Sequence, residues 1–145
     1  MNGKVIGAAL IASGVLAGAG VYYLQVYGFY EDVSATNVDD VQVTTLVSNE
    51  PEPILYENFK AIDADSSPIR YRACFETAQS TAMMSETYVP YEDAVPLNAP
   101  GWFDCFDAAE IGAALEEGTA QAFLGTFNVI YGIDRIVAVH DDGRV

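Results

Sequence analysis

The chain is poor in what usually marks a catalytic or metal centre. It has one histidine, His140, and two cysteines, Cys74 and Cys105, with no Cys-x-x-Cys spacing. A four-ligand metal site would have to recruit carboxylates. There is no serine-elbow motif, P-loop or dinucleotide fingerprint. Basic residues are scarce as well: 6 Lys and Arg stand against 21 Asp and Glu, a formal net charge of -15 over 145 residues. Nucleic acid is excluded as a partner, because binding it needs clustered Lys and Arg. An anionic membrane surface would not attract such a chain either. Charge of both signs is absent from Val5 to Tyr30.

That uncharged stretch, V-I-G-A-A-L-I-A-S-G-V-L-A-G-A-G-V-Y-Y-L-Q-V-Y-G-F-Y, exceeds the roughly 20 residues a helix needs to cross a bilayer core. A lone apolar segment cannot close a barrel, so it is expected to be a helix. Lys4 precedes it, and Glu31, Asp32, Asp39 and Asp40 follow. By the positive-inside rule the amino end is expected inside and the remainder outside. Tyr22, Tyr23, Tyr27 and Tyr30, with Phe29, crowd the outer end, as in an interfacial aromatic belt. A cleaved signal peptide competes through Ala17-Gly18-Ala19, but the apolar run continues to Tyr30, which favours an uncleaved anchor.

On a helical wheel Gly3, Gly7, Gly14, Gly18 and Gly28 share one stripe with Gln25. Gly3/Gly7 and Gly14/Gly18 are G-x-x-x-G pairs, which let membrane helices approach closely, and Gln25 could bond across such a contact. The simpler account is that membrane helices are rich in glycine anyway.

The remainder is one domain's worth of chain. With 5 basic and 21 acidic residues it carries a formal -16. The simplest account of that acidity is solubility. The alternative is a cationic soluble partner, for which a c-type cytochrome is the natural candidate if the host assembly is respiratory or photosynthetic.

Residues 31 to 53 read as an acidic tether ending in a short strand near Val41–Val47, which Ser48 to Pro53 then breaks through its prolines. Asp63 to Pro68 is a turn. It lacks the glycine and the final glutamate of a calcium loop. Ile69 to Glu76 alternates as a strand, with Arg70 and Arg72 on one face. These arginines are expected to pair with nearby carboxylates; a carboxylate ligand is the alternative. Thr77 to Thr87 is read as a short helix or loop, and Tyr88 to Pro100, with three prolines, as irregular. Trp102, Phe103 and Phe106 are expected to seal the core.

Asp107 and Glu110 form a capping-box pattern for a helix that ends at Gly118. Gln121 to Gly125 and Ile133 to His140 read as strands, with a loop over Thr126 to Gly132. Asp134 and Arg135 are expected to form a local salt bridge. Asp142-Gly143 is a tight turn. His140 is expected to be a surface turn residue.

An even cysteine count outside the cytoplasm points to a Cys74–Cys105 disulfide, stapling the strand to the start of the helix. A reactive or metal-binding thiol pair is the alternative.

The whole chain resembles a bacterial inner-membrane family of unknown function. The resemblance rests on M-N-G-K at the amino end, A-C-F at 73–75, W-F-D-C-F-D at 102–107, and F-L-G with Y-G-I-D-R-x-V-A-V near the carboxyl end. It implies a single-pass anchor, a periplasmic domain and paired cysteines, and chains that continue past the D-G-R turn. It implies no activity and no site residues.

The expected architecture is therefore one transmembrane helix (1–30), an acidic tether with a first strand (31–53), and a small periplasmic α+β domain (54–145). That domain would be an antiparallel sheet with one packed helix. The expected function is a non-catalytic accessory subunit of an inner-membrane complex, partnered by other integral membrane subunits. It would have no cofactor, no metal and no catalytic residues. The alternative is an independent membrane-anchored binding or sensing module.

Overall fold

The computed structural model describes residues 2–37 and 39–145. It consists of a long apolar amino-terminal helix and a small domain of antiparallel sheets and short helices.

Helix α1 spans Gly3–Tyr23 and begins at Asn2, whose side chain accepts the Lys4 N–H. With no proline to break it and no charged side chain after Lys4, the helix continues, and it widens to a π-helical stretch at Leu24–Gly28. Together Gly3–Gly28 make 26 residues, whose most apolar 18-residue window has mean hydropathy 1.9 and is unburied, long and apolar enough to cross a membrane.

The domain begins directly afterwards. Strand β1 (Glu31–Val33) pairs with β4 (Glu57–Asp63), which pairs with β5 (Arg72–Glu76). Residues 31–53, read from the sequence as a tether becoming structure, thus supply β1 and also a hairpin of β2 (Gln42–Thr44) and β3 (Pro51–Pro53). The prolines do not prevent pairing. Thr45 N–H bonds Glu50 O, and Ile54 N–H bonds Val41 O. Pro51 and Pro53 have the opposite parity, so their missing N–H groups fall on the free edge, where proline is tolerated in a sheet.

Strands β6 (Ala120–Ile130) and β7 (Ile133–His140) form a hairpin. The loop expected over 126–132 is instead mostly strand, with an irregular register beyond Leu124 and a turn only at Tyr131–Gly132. The 88–91 segment threads between β2 and β6 through bridges Thr45–Tyr88 and Pro90–Phe123. After the Asp142-Gly143 turn the chain returns at once: Val145 exchanges both backbone bonds with Phe75, at 2.9 and 3.1 Å. Gly143 suits this turn, having φ of 90° and no room for a Cβ, which would stand 2.9 Å from Thr77 O.

Two short helices pack on this frame. In α2 (Thr81–Thr87), Met84 enters the core. In α3 (Ala108–Glu117), Asp107 caps the start by accepting from Ala109 and Glu110 N–H. Glu110 does not complete the capping box; its carboxylate takes Arg144 at 2.9 Å. Gly118 ends α3 in the left-handed conformation, as expected for a glycine just past a helix. The core gathers Val41, Val43, Ile54, Phe75, Met84, Phe123 and Val139.

Asp40 fastens the start of the domain. It accepts from Thr36 and Asn37 N–H, each at 2.8 Å, from Thr36 Oγ1 and from the Tyr56 hydroxyl. These bonds, Tyr56 first, hold its carboxyl below the usual 3.8, and the same contact raises the Tyr56 phenol above 10.0. A depressed carboxyl contributes stability above its unfolded value and loses it as pH falls through the folded value. A raised phenol contributes below 10.0 and loses it as pH rises further. Asp40→Asn is therefore expected to be less stable than the wild type at pH 7. The gap should close as the pH falls below 3.8, which thermal melts across that range will show.

Candidate functional site

The helix and the domain are joined by specific contacts. Arg70 donates to the Gln25 carbonyl at 2.9 Å and to Gln25 Oε1. Trp102 Nε1 donates to the Val26 carbonyl at 2.6 Å. Gln25 and Val26 lie in the π-helical stretch, where the widened turn frees carbonyls for outside donors. Around this joint the rings of Tyr27 and Trp102 stack, Tyr30 meets Trp102 edge-on, and Tyr23 stacks on Tyr27. The Arg70 guanidinium lies 5.5 Å from the Tyr30 ring centre.

This placement revises several expectations. Trp102 does not seal the core but caps the helix end; Phe103 is the buried member of that cluster. Among the described residues Arg70 and Arg72 do not pair with carboxylates. Arg72 donates to four backbone carbonyls, those of Leu97, Asn98, Ile69 and Tyr71, and lies beside the Phe106 ring. Burial lowers its pKa from the ordinary guanidinium value. Gln25 faces its own domain. Gly3, Gly7, Gly14 and Gly18 have open space above them, and Tyr22 is exposed.

A pocket of about 330 Å³ sits in the angle between the helix end and the domain, lined by Gln25, Tyr30, Arg70, Arg72, Asn98 and Pro100. A larger cleft of about 940 Å³ opens on the domain between β5, the 91–97 segment, α3 and β7. Its walls include Leu97, Phe106, Leu115 and Ile136. On its floor Arg135 stands 3.9 Å over the ring of Tyr71, whose phenol burial raises above 10.0. Arg135 thus serves a ring and not Asp134, which accepts from Asn128 N–H. His140, expected at the surface, is buried at the cleft's end. Apolar walls with guanidinium and phenol donors can hold an amphipathic anion or peptide by contact and hydrogen bonding, and the cleft falls in the size range of ligand sites, about 300–1,000 Å³.

Cys74 and Cys105 are joined in a disulfide, with Cα atoms 6.2 Å apart, linking β5 to the start of α3 along the cleft wall. Among the described residues no group of three or more His, Cys, Asp or Glu could hold a metal.

The sequence reading missed the Trp102–Val26 bond and the Tyr71–Arg135 stack. The first had one signal: the chain's single tryptophan in an aromatic cluster, in a chain whose only other such cluster ends the apolar run. The second joins residues 64 positions apart, Tyr71 just before β5 and Arg135 in β7, and left no local signal.

Residues 41–145, well over half of the chain, match the model of a family of unknown function, DUF6446. No curated protein and no solved structure matches.

Proposed function

The chain belongs to this DUF6446 family, and we propose that it is a non-catalytic accessory subunit of a bacterial inner-membrane complex. In this reading the helix crosses the membrane with its amino end in the cytoplasm, and the domain stands in the periplasm.

The observation that carries the proposal is the joint. A helix that merely tethered its domain would need no bonds to it. Here Arg70 and Trp102 hold the last helical turns, so the domain takes a fixed attitude to the helix. A fixed attitude matters when the domain must meet a neighbour in or just above the membrane. The helix itself is unburied and offers Gly14 and Gly18 to a partner helix. The acidic domain, at -16, suits a basic soluble partner such as a c-type cytochrome.

Mild solubilisation and purification through a tag on the native chain tests this. Integral membrane subunits are expected to co-purify, and to be lost from Gly14→Leu/Gly18→Leu while the domain stays folded. A basic soluble partner should leave as ionic strength rises, because screening shortens electrostatic reach to about 10 Å at 0.1 M. Recovery of the chain alone would reject the subunit reading.

The second reading, an independent anchored binding module, is favoured by the 940 Å³ cleft with Arg135 on Tyr71. It predicts a chain that purifies alone and carries a small amphipathic ligand, which denaturing mass spectrometry of the purified protein would detect.

A further inference from the structure

We infer that the pocket between the helix end and the domain binds the phosphate of a phospholipid headgroup of net negative charge, through Arg70 and Arg72. The inference rests on the helix crossing a membrane, and its test keeps the two apart.

Position comes first. Tyr23, Tyr27, Tyr30 and Trp102 gather where the apolar helix ends, the arrangement that marks headgroup level. Arg70 is bonded to Gln25 within that ring of aromatics, so its guanidinium is at headgroup depth whichever way the domain leans. The 330 Å³ pocket opens beside it and is bounded on its far side by Arg72, Asn98 and Pro100.

Charge comes second. The chain has 21 carboxylates, yet among the described residues the ion pairs are both made by Arg144. Among the described residues neither Arg70 nor Arg72 has a carboxylate partner. Arg72 is half-buried, and each of its acceptors is a neutral carbonyl, which fixes the side chain without neutralising it. Partly desolvated charge normally finds an opposite one. Two neighbouring guanidiniums left so, at the lipid boundary of an acidic protein, lack an anion of the kind a membrane supplies.

Donor geometry comes third. A guanidinium carries five N–H donors in a planar fork that matches phosphate oxygens. The bonds of Arg70 to Gln25 use one donor on each terminal nitrogen, which leaves the remainder for a phosphate. The domain as a whole repels an anionic surface. That repulsion is screened beyond about 10 Å at 0.1 M salt, whereas the pair acts at contact.

The full chain in detergent, offered phosphatidylcholine and phosphatidylglycerol together, is expected to retain phosphatidylglycerol in native mass spectrometry. Arg70→Gln should cut that retention about tenfold, the loss of a charge-assisted contact, and Arg70→Lys should restore part of it. Inorganic phosphate in solution should not displace the lipid. Equal retention of the two lipids by the wild type would overturn the inference, even if Arg70→Gln failed to fold. So would unchanged retention in folded Arg70→Gln, or displacement by inorganic phosphate, which would make the site a free-anion site. Alkaline extraction of native membranes reports separately on the crossing: a chain released by it is not an integral membrane protein, whatever lipid it holds.

Discussion

Replacing Cys74 and Cys105 by serine is expected to lower the domain's melting temperature by about 15–25 °C, with little change in the folded structure. The bridge closes a loop of 31 residues. Closing a loop of that size removes about 3–4 kcal/mol of unfolded-state entropy, and a domain near 100 residues shifts by about 4–8 °C per kcal/mol. The loop contains α2, the proline-rich 88–100 connection and Trp102. That connection has no regular ladder of its own, so without the bridge it is held mainly by the bonds of Arg72 to the Leu97 and Asn98 carbonyls and by the bridges at Tyr88 and Pro90. Scanning calorimetry with and without reductant gives the comparison. An unchanged melting temperature would mean that the unfolded chain is already compact around this segment.

Phe123→Ala should have the largest effect of any single core change, about 3–5 kcal/mol. Phe123 is the largest fully buried side chain, 1% exposed, and packs among Val43, Met84 and Val139. Its strand also receives the 88–91 segment, because Leu124 N–H bonds the Val89 carbonyl at 2.9 Å. The cavity would therefore lie where β2, α2 and the β6–β7 hairpin meet, a site fixed by backbone bonds that cannot readily collapse. Urea denaturation of the two proteins measures the loss. A cost below about 1 kcal/mol would show that the surrounding strands move inward to fill the space.

Much of this architecture could be read from local chemistry. The absence of charge from Val5 to Tyr30 announced α1, and Asp107 with Gly118 marked both ends of α3 because caps are local bonds. Other features depend on partners distant in sequence. Pro51 and Pro53 signal a break, and only the pairing with Gln42 and Thr44 shows that their parity is harmless. Phe127 to Ile130 lies exposed and is interrupted by Asn128, yet the hairpin holds it through β7 opposite. At the candidate sites the residue types were visible and the partners were not. Arg70 and Arg72 stood out as cations in an acidic chain, from which carboxylate partners followed naturally. Their actual acceptors are mainly carbonyls, and every residue has a carbonyl.

The joint at Trp102 has a spectroscopic consequence. Trp102 is the chain's one tryptophan, so all indole emission comes from the place where helix and domain meet. Its indole N–H is engaged by Val26, and its ring is flanked by Tyr27 and Tyr30. Opening of the joint would release that N–H, expose more of a ring now 39% exposed and move its emission to longer wavelength, while the distant core stayed silent. The protein thus carries an unlabelled optical gauge of whether its domain is docked.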